Sequence, residues 1–218
     1  MPKNILIAGL GVLLALMAAS SSQAAIVANY TFTGGVLTSS VTDPNSSATS
    51  ISLGSGIPNS GVSLTIGNPA ESFRFAAGDI GNHLNTSDYI EFTVTAGSGL
   101  VLDLSSLTFQ TSAQSASDTG RWAVRTGTFI NDLADDLISG TEFFDGSINL
   151  SSIADTPSIT FRFYAWNDPG DQSDLYFDNI VLHATAIPEV GTVWASLLVL
   201  GAAIVIKQRF DKSNVPKR

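Results

Sequence analysis

Three aspartates, Asp168, Asp171 and Asp174, stand at a spacing of three around a Pro169-Gly170 turn, with Asp178 close behind. Calcium takes roughly six to eight hard oxygen ligands from carboxylates and carbonyls. A short acidic loop can supply several of them, and the pattern predicts a calcium site. The competing reading is a solvated hairpin, because aspartate favours turns in any case. A second group is Arg121, Arg125 and Arg162, with Trp122, Tyr164 and Trp166 beside them in sequence. Guanidinium groups pair with carboxylates, and aromatic rings offer a flat apolar surface. These residues therefore predict either internal salt bridges or a platform for a sugar ring. Catalytic groups are scarce. There is no cysteine and no Gly-x-Ser-x-Gly elbow, and His83 and His183 carry no motif around them. Glu91 and Glu142 are the carboxylates a glycoside hydrolase would need. Glu91 alternates with Ile90 and Phe92, however, and so reads as a solvated outward side chain. No enzymatic activity is expected, and no cofactor other than calcium.

These residues must be positioned by strands. Apolar side chains recur at spacing two in Ile26-Ala28-Tyr30-Phe32, Val62-Leu64-Ile66, Phe73-Phe75 and Ile90-Phe92-Val94-Ala96. The same alternation continues in Leu100-Leu102-Leu104, Leu107-Phe109, Trp122-Val124, Ile148-Leu150, Ile159-Phe161-Phe163-Ala165 and Leu175-Phe177-Val181. Period-two alternation puts these groups on one face of a sheet and the Ser, Thr and Arg residues between them on the other. Many short strands separated by turn residues predict an all-β fold, an antiparallel β-sandwich with two apolar faces packed together. One stretch differs: Ile130, Leu133, Leu137 and Ile138 have helical spacing, which predicts a short helix or a long loop over 129–139. Residues 38–60 are the loosest part and read as a loop.

The chain has 218 residues, a net charge of −9 and only 13% charged residues. Nucleic acid is excluded as a partner, since it requires a basic face. The 44% hydrophobic content excludes a disordered acidic tail. Charge is also unevenly divided. Residues 25–187 carry four arginines, no lysine and seventeen acids, a balance of −13. Residues 207–218 carry five bases against Asp211 alone.

Both ends are apolar. Lys3, the run Ile5 to Ala18, and the small residues Ser22 and Ala24 make a secretory signal peptide over 1–24, cut after Ala24 by signal peptidase. Residues 190–206 contain no charge. As a helix they would reach roughly 26 Å against a hydrocarbon core of about 30 Å, enough for a single membrane span. Lys207 and Arg209 form a basic stop, and the rest of the 207–218 tail favours a cytoplasmic C-terminus.

Pro188-Glu189-Val190, then the apolar span, then Lys207 and Arg209, resembles the tripartite PEP-CTERM sorting signal of Gram-negative bacteria, with valine at the third motif position. The run from Tyr89 through Asp178-Asn179 to Glu189 also resembles the exported domains that precede such signals, which implies a jelly-roll-like or galactose-binding-like sandwich without known catalysis. The resemblance further implies processing by an exosortase. The protein would reside in the inner membrane as a precursor and then at the cell-envelope surface or in the extracellular matrix, in association with exopolysaccharide or biofilm. The expected organisation is therefore a signal peptide (1–24), an exported β-sandwich (25–187) and a sorting signal (188–218). The expected function is that of a non-enzymatic surface or matrix protein. The alternative is a carbohydrate-binding module, or behind it a glycoside hydrolase, on a simple membrane anchor, with polysaccharide as partner.

Overall fold

The computed structural model describes residues 24–40, 43–67 and 70–189. Residues 1–23 of the expected signal peptide (1–24), and Val190, the expected membrane span and the expected basic stop at Lys207 and Arg209, lie outside them. The strands, in chain order, are β1 (Ala25–Tyr30), β2 (Ser46–Ala48), β3 (Ser52–Leu53), β4 (Gly61–Ser63), β5 (Ser72–Phe75) and β6 (Tyr89–Ala96). They continue with β7 (Leu100–Ala113), β8 (Thr119–Thr126), β9 (Asp132–Ser139), β10 (Phe144–Asn149), β11 (Ser158–Asn167) and β12 (Leu175–Pro188). All their pairings are antiparallel. They form two six-stranded sheets, as the alternation predicts.

The first sheet runs β10-β7-β12-β5-β4. β1 is laid on the same edge of β12 as β5, further along the strand. The second runs β2-β6-β11-β8-β9, with β3 beside β2 on the edge of β6. The inward-facing rings meet between the sheets. Phe109 of β7 packs on Trp122 and Phe163 of the second sheet at 4.8 and 5.2 Å between centroids. Phe177 of β12 lies 5.5 Å from Phe75 and 5.8 Å from Phe163.

Two bulges let the long strands keep this face buried. In β7 the inward set shifts from Leu102 and Leu104 to Leu107 and Phe109. The pairing with β12 steps from Ala184–Leu104 to His183–Ser106, which leaves Ser105 as the extra residue. In β12 the inward set shifts from Leu175 and Phe177 to Ile180 and Leu182, and Asn179 takes a left-handed φ of 48° at the step. Asparagine tolerates that conformation better than most residues, so the Asp178-Asn179 pair reads as the bulge of β12.

Three regions differ from the expectation. Residues 132–139 form the edge strand β9, not a helix or loop, because β8 offers a free edge and its carbonyls and amides need partners. Ile138 is buried there and Leu133 and Ala134 line the core, while Leu137 faces solvent. The Val62-Leu64-Ile66 run yields only the three-residue β4, and Leu64 is 64% exposed. The 38–60 stretch, expected to be a loop, contains β2 and β3 and buries Ile51 and Ile57 among its described residues.

Candidate functional site

The register of the second sheet decides which side chains share its outer face. Arg162 of β11 lies opposite Arg125 of β8 and Glu91 of β6. Two residues along, Tyr164 lies opposite Ala123 and Tyr89, and Trp166 lies opposite Arg121. On β9, Asp132 faces Arg125 and Leu137 faces Arg121. Three of the four arginines between residues 25 and 187 thus stand on one sheet face, among Tyr89, Tyr164 and Trp166. The fourth, Arg74, is on the first sheet and pairs with Asp174 at 3.5 Å.

Each guanidinium on this face is held through its Nε. Arg162 Nε donates to Glu91 Oε2 at 2.7 Å, Arg125 Nε to Asp132 Oδ1 at 2.5 Å, and Arg121 Nε to Asp168 Oδ1 at 3.2 Å. Arg162 is also clamped flat, with its Cζ 4.1 Å from the Tyr89 ring centre and 3.9 Å from that of Phe129. Burial works against its charge. The bond to Glu91, the adjacent Tyr164 hydroxyl (near, but outside hydrogen-bond geometry) and the Glu91 charge outweigh it and raise the arginine's pKa. Phe129 reaches the stack from the β8–β9 turn with φ at 56°, a costly conformation for a bulky residue. Its carbonyl accepts a hydrogen bond from Arg125 Nη1 at 3.1 Å. Below the stack, Gly54 packs against Tyr89, and a Cβ there would collide with the Ser87 carbonyl oxygen and the tyrosine ring.

Trp166 is the half-buried ring of this face, with the Arg121–Asp168 pair on one side. The loop over 81–88 adjoins its strand on the other side, where Asn167 N donates to the Gly81 carbonyl at 2.9 Å. That loop is anchored by carboxylates. Asp79 accepts from Asn59 N, Asn59 Nδ2 and Ser60 Oγ, each at 2.8 Å. Burial opposes its charge, but the bonds from Asn59 and Ser60 prevail and lower its pKa. Asp88 is buried against Gly56 and accepts from Asn85 Nδ2 at 3.0 Å. For Asp88 burial prevails, and its pKa is raised.

The structure separates several residues that the sequence placed together. Trp122 points the opposite way from Arg121 and Arg125, into the core against Phe109. Asp168, Asp171 and Asp174 serve three different partners. Asp168 holds Arg121, Asp171 Oδ2 accepts from Thr119 N and Oγ1 at 3.0 and 2.7 Å, and Asp174 Oδ1 accepts from Ala77 N at 2.8 Å. The Thr119 bonds lower the pKa of Asp171. Among the described residues no group of three or more potential metal-ligating side chains is gathered. Glu142 lies in the β9–β10 connection, and β9 itself is three strand spacings, about 14 Å, across the sheet from the strand of Glu91. That is wider than the roughly 5–9.5 Å a glycosidase carboxylate pair needs. His83 is in the 81–88 loop and His183 is on the first sheet, so they share no site. Pro188 is the last residue of β12, opposite Leu100, and Glu189 N donates to the Gly99 carbonyl at 3.1 Å. Sequence reasoning missed Tyr89 and Phe129, whose roles depend on cross-strand neighbours.

No protein-family model and no curated protein matches the sequence. Solved structures with a similar fold include the CBM22-1 xylan-binding domain of Paenibacillus barcinonensis Xyn10C. It is 8% identical over 76% of this chain and 97% of that one, with a TM-score of 0.45. The CBM27-1 module of Caldicellulosiruptor saccharolyticus, solved with mannohexaose, is 11% identical over 74% and 97%, with a TM-score of 0.44. A cleaved adhesin domain of Lys-gingipain from Porphyromonas gingivalis is 14% identical over 71% and 95%, with a TM-score of 0.37. At such identities and TM-scores the likeness implies no shared site.

Proposed function

We propose that this domain is a non-catalytic glycan-binding module, and that it binds on the outer face of its second sheet. The observation that carries this reading is the pre-organised row Tyr89, Arg162, Arg121 and Trp166 on the outer face of the second sheet, with Tyr164 buried under Arg125 between them. A sugar ring needs an apolar plane for its C–H face and fixed donors and acceptors for its hydroxyls. Trp166 supplies the plane. The Arg121–Asp168 and Arg162–Glu91 pairs supply rigid donors and acceptors whose geometry is set before any ligand arrives. Titration of the full chain with soluble oligosaccharides should give saturable binding; no binding across a broad set would overturn the reading.

We also propose that the module is exported and anchored by a PEP-CTERM-type signal, with exosortase and membrane as partners and the cell surface or matrix as destination. Its support is in the sequence: the Pro188-Glu189-Val190 motif begins at the last residue of β12, and the uncharged 190–206 span and the basic Lys207 and Arg209 come after it. Mass spectrometry of the mature protein should show the tail missing after residues 187–190. An intact C-terminus in envelope fractions would reduce the segment to an ordinary anchor.

A further inference from the structure

The charges on the binding face point to a ligand class. We infer that the glycan is uncharged, and that the face discriminates against uronic-acid or sulfated polymers; this rests on the outer face of the second sheet being the binding surface.

Each of the three guanidinium groups there already faces a carboxylate: Arg121 with Asp168, Arg125 with Asp132, and Arg162 with Glu91. Asp135, opposite Ala123 on the exposed edge strand, adds a fourth carboxylate that forms no ion pair among the described residues. The surface is therefore balanced or slightly negative, on a domain that carries −13 between residues 25 and 187. An anionic ligand would meet no uncompensated cation and would approach against the field of the whole domain. It would have to separate an existing pair and leave a carboxylate unpaired beside it.

An uncharged sugar fits the groups that remain. In all three pairs the carboxylate takes the Nε hydrogen. Among the described residues the Nη nitrogens of Arg121 and Arg162 make no hydrogen bond to protein, and Arg125 uses one, for the Phe129 carbonyl. Those N–H groups can donate to ring and hydroxyl oxygens, while the free lone pairs of Asp168 and Glu91 can accept from hydroxyl protons. A sugar hydroxyl is both donor and acceptor, so it can serve both halves of an ion pair at once. A carboxylate or sulfate can serve only the guanidinium half. Further along the face the hydroxyls are paired with one another, Thr93 with Thr160 at 2.7 Å and Thr95 with Ser158 at 2.9 Å, so no cation is gained there.

The test is calorimetric titration of the full chain with neutral xylo-, manno- and gluco-oligosaccharides, and with oligogalacturonate and oligoalginate. Neutral ligands should bind, with affinity unchanged within about twofold as salt is raised, because screening has little to act on. The acidic ligands should bind at least tenfold more weakly. Asp168→Asn, which frees the Arg121 guanidinium, should raise affinity for the acidic set roughly two- to fivefold, the scale of an exposed pair. Equal or preferential binding of the acidic set by the unmodified protein would overturn this inference and leave the binding face standing. Binding of neither set would overturn the binding face itself.

Discussion

Replacing Phe109 with alanine should destabilise the domain by about 3–5 kcal/mol, the range for removing a large aromatic from a rigid core. For a domain of this size that corresponds to a fall in melting temperature on the order of 10 °C. The ring is buried and touches aromatics from both sheets: Trp122 and Phe163 on one side, and Phe177 at 5.9 Å beside it. It also lies across Gly146, its partner on β10, where a Cβ would come within 2.5 Å of the ring. That glycine makes room for the ring, so truncation leaves a hole between the sheets. Phe144 on the same strand is 56% exposed, and its replacement by alanine should change stability by no more than about 0.5 kcal/mol. Thermal and urea unfolding of the two variants would check both values. A Phe109→Ala loss below about 1 kcal/mol would mean that the two sheets do not close on this ring.

Trp166→Ala should have the largest effect on binding. A well-placed aromatic anchor contributes about 2 kcal/mol, so the dissociation constant should rise roughly thirtyfold. Stability should change much less, because the ring is half-buried on the outer face and is not part of the core cluster. Calorimetric titration alongside thermal unfolding separates the two effects. Unchanged affinity with a normal melt would move the binding surface away from this end of the sheet. A large drop in melting temperature would make Trp166 a structural residue.

Much of the architecture was legible from alternation alone. Ile90, Phe92 and Val94, and Ile159, Phe161 and Phe163, lie inward as their spacing dictates. The same rule, applied more strictly, separates Trp122 from Arg121 and Arg125, since adjacent residues in a strand face opposite ways. Where alternation misled, a bulge or an edge intervened. Ser105 and Asn179 each shift the phase of a long strand, and only the pairing shows that the strand continues. In β9 the positions of Leu133, Leu137 and Ile138 match a helix, but a bulge opposite Val124 and Arg125 sends them to both faces of an edge strand. Its aspartates fit that edge position, since charge discourages pairing with another chain.

The site was legible in composition but not in partnership. The three arginines stood out because the domain has so few cations. Which acid each would meet depends on register: Glu91 reaches Arg162 across 71 residues, and Asp168 reaches Arg121 across 47. Asp168, Asp171 and Asp174 looked like one cluster because they are close in sequence, whereas the fold directs Asp168 and Asp171 to different residues of β8, Arg121 and Thr119, and Asp174 to the segment after β5. Phe129 was invisible for a similar reason: its ring position follows from a left-handed turn that the sequence does not announce.

On the proposed reading a glycan lies on the outer face of the second sheet. The most direct measurement is a titration of the 15N-labelled full chain with a neutral oligosaccharide that binds it, followed through the tryptophan indole N–H resonances. Trp166 is on the proposed surface and Trp122 is sealed in the core, so the two report from opposite sides of one sheet. The Trp166 indole resonance should move progressively to saturation while that of Trp122 stays in place. Saturable binding with the Trp166 resonance unmoved would contradict the account.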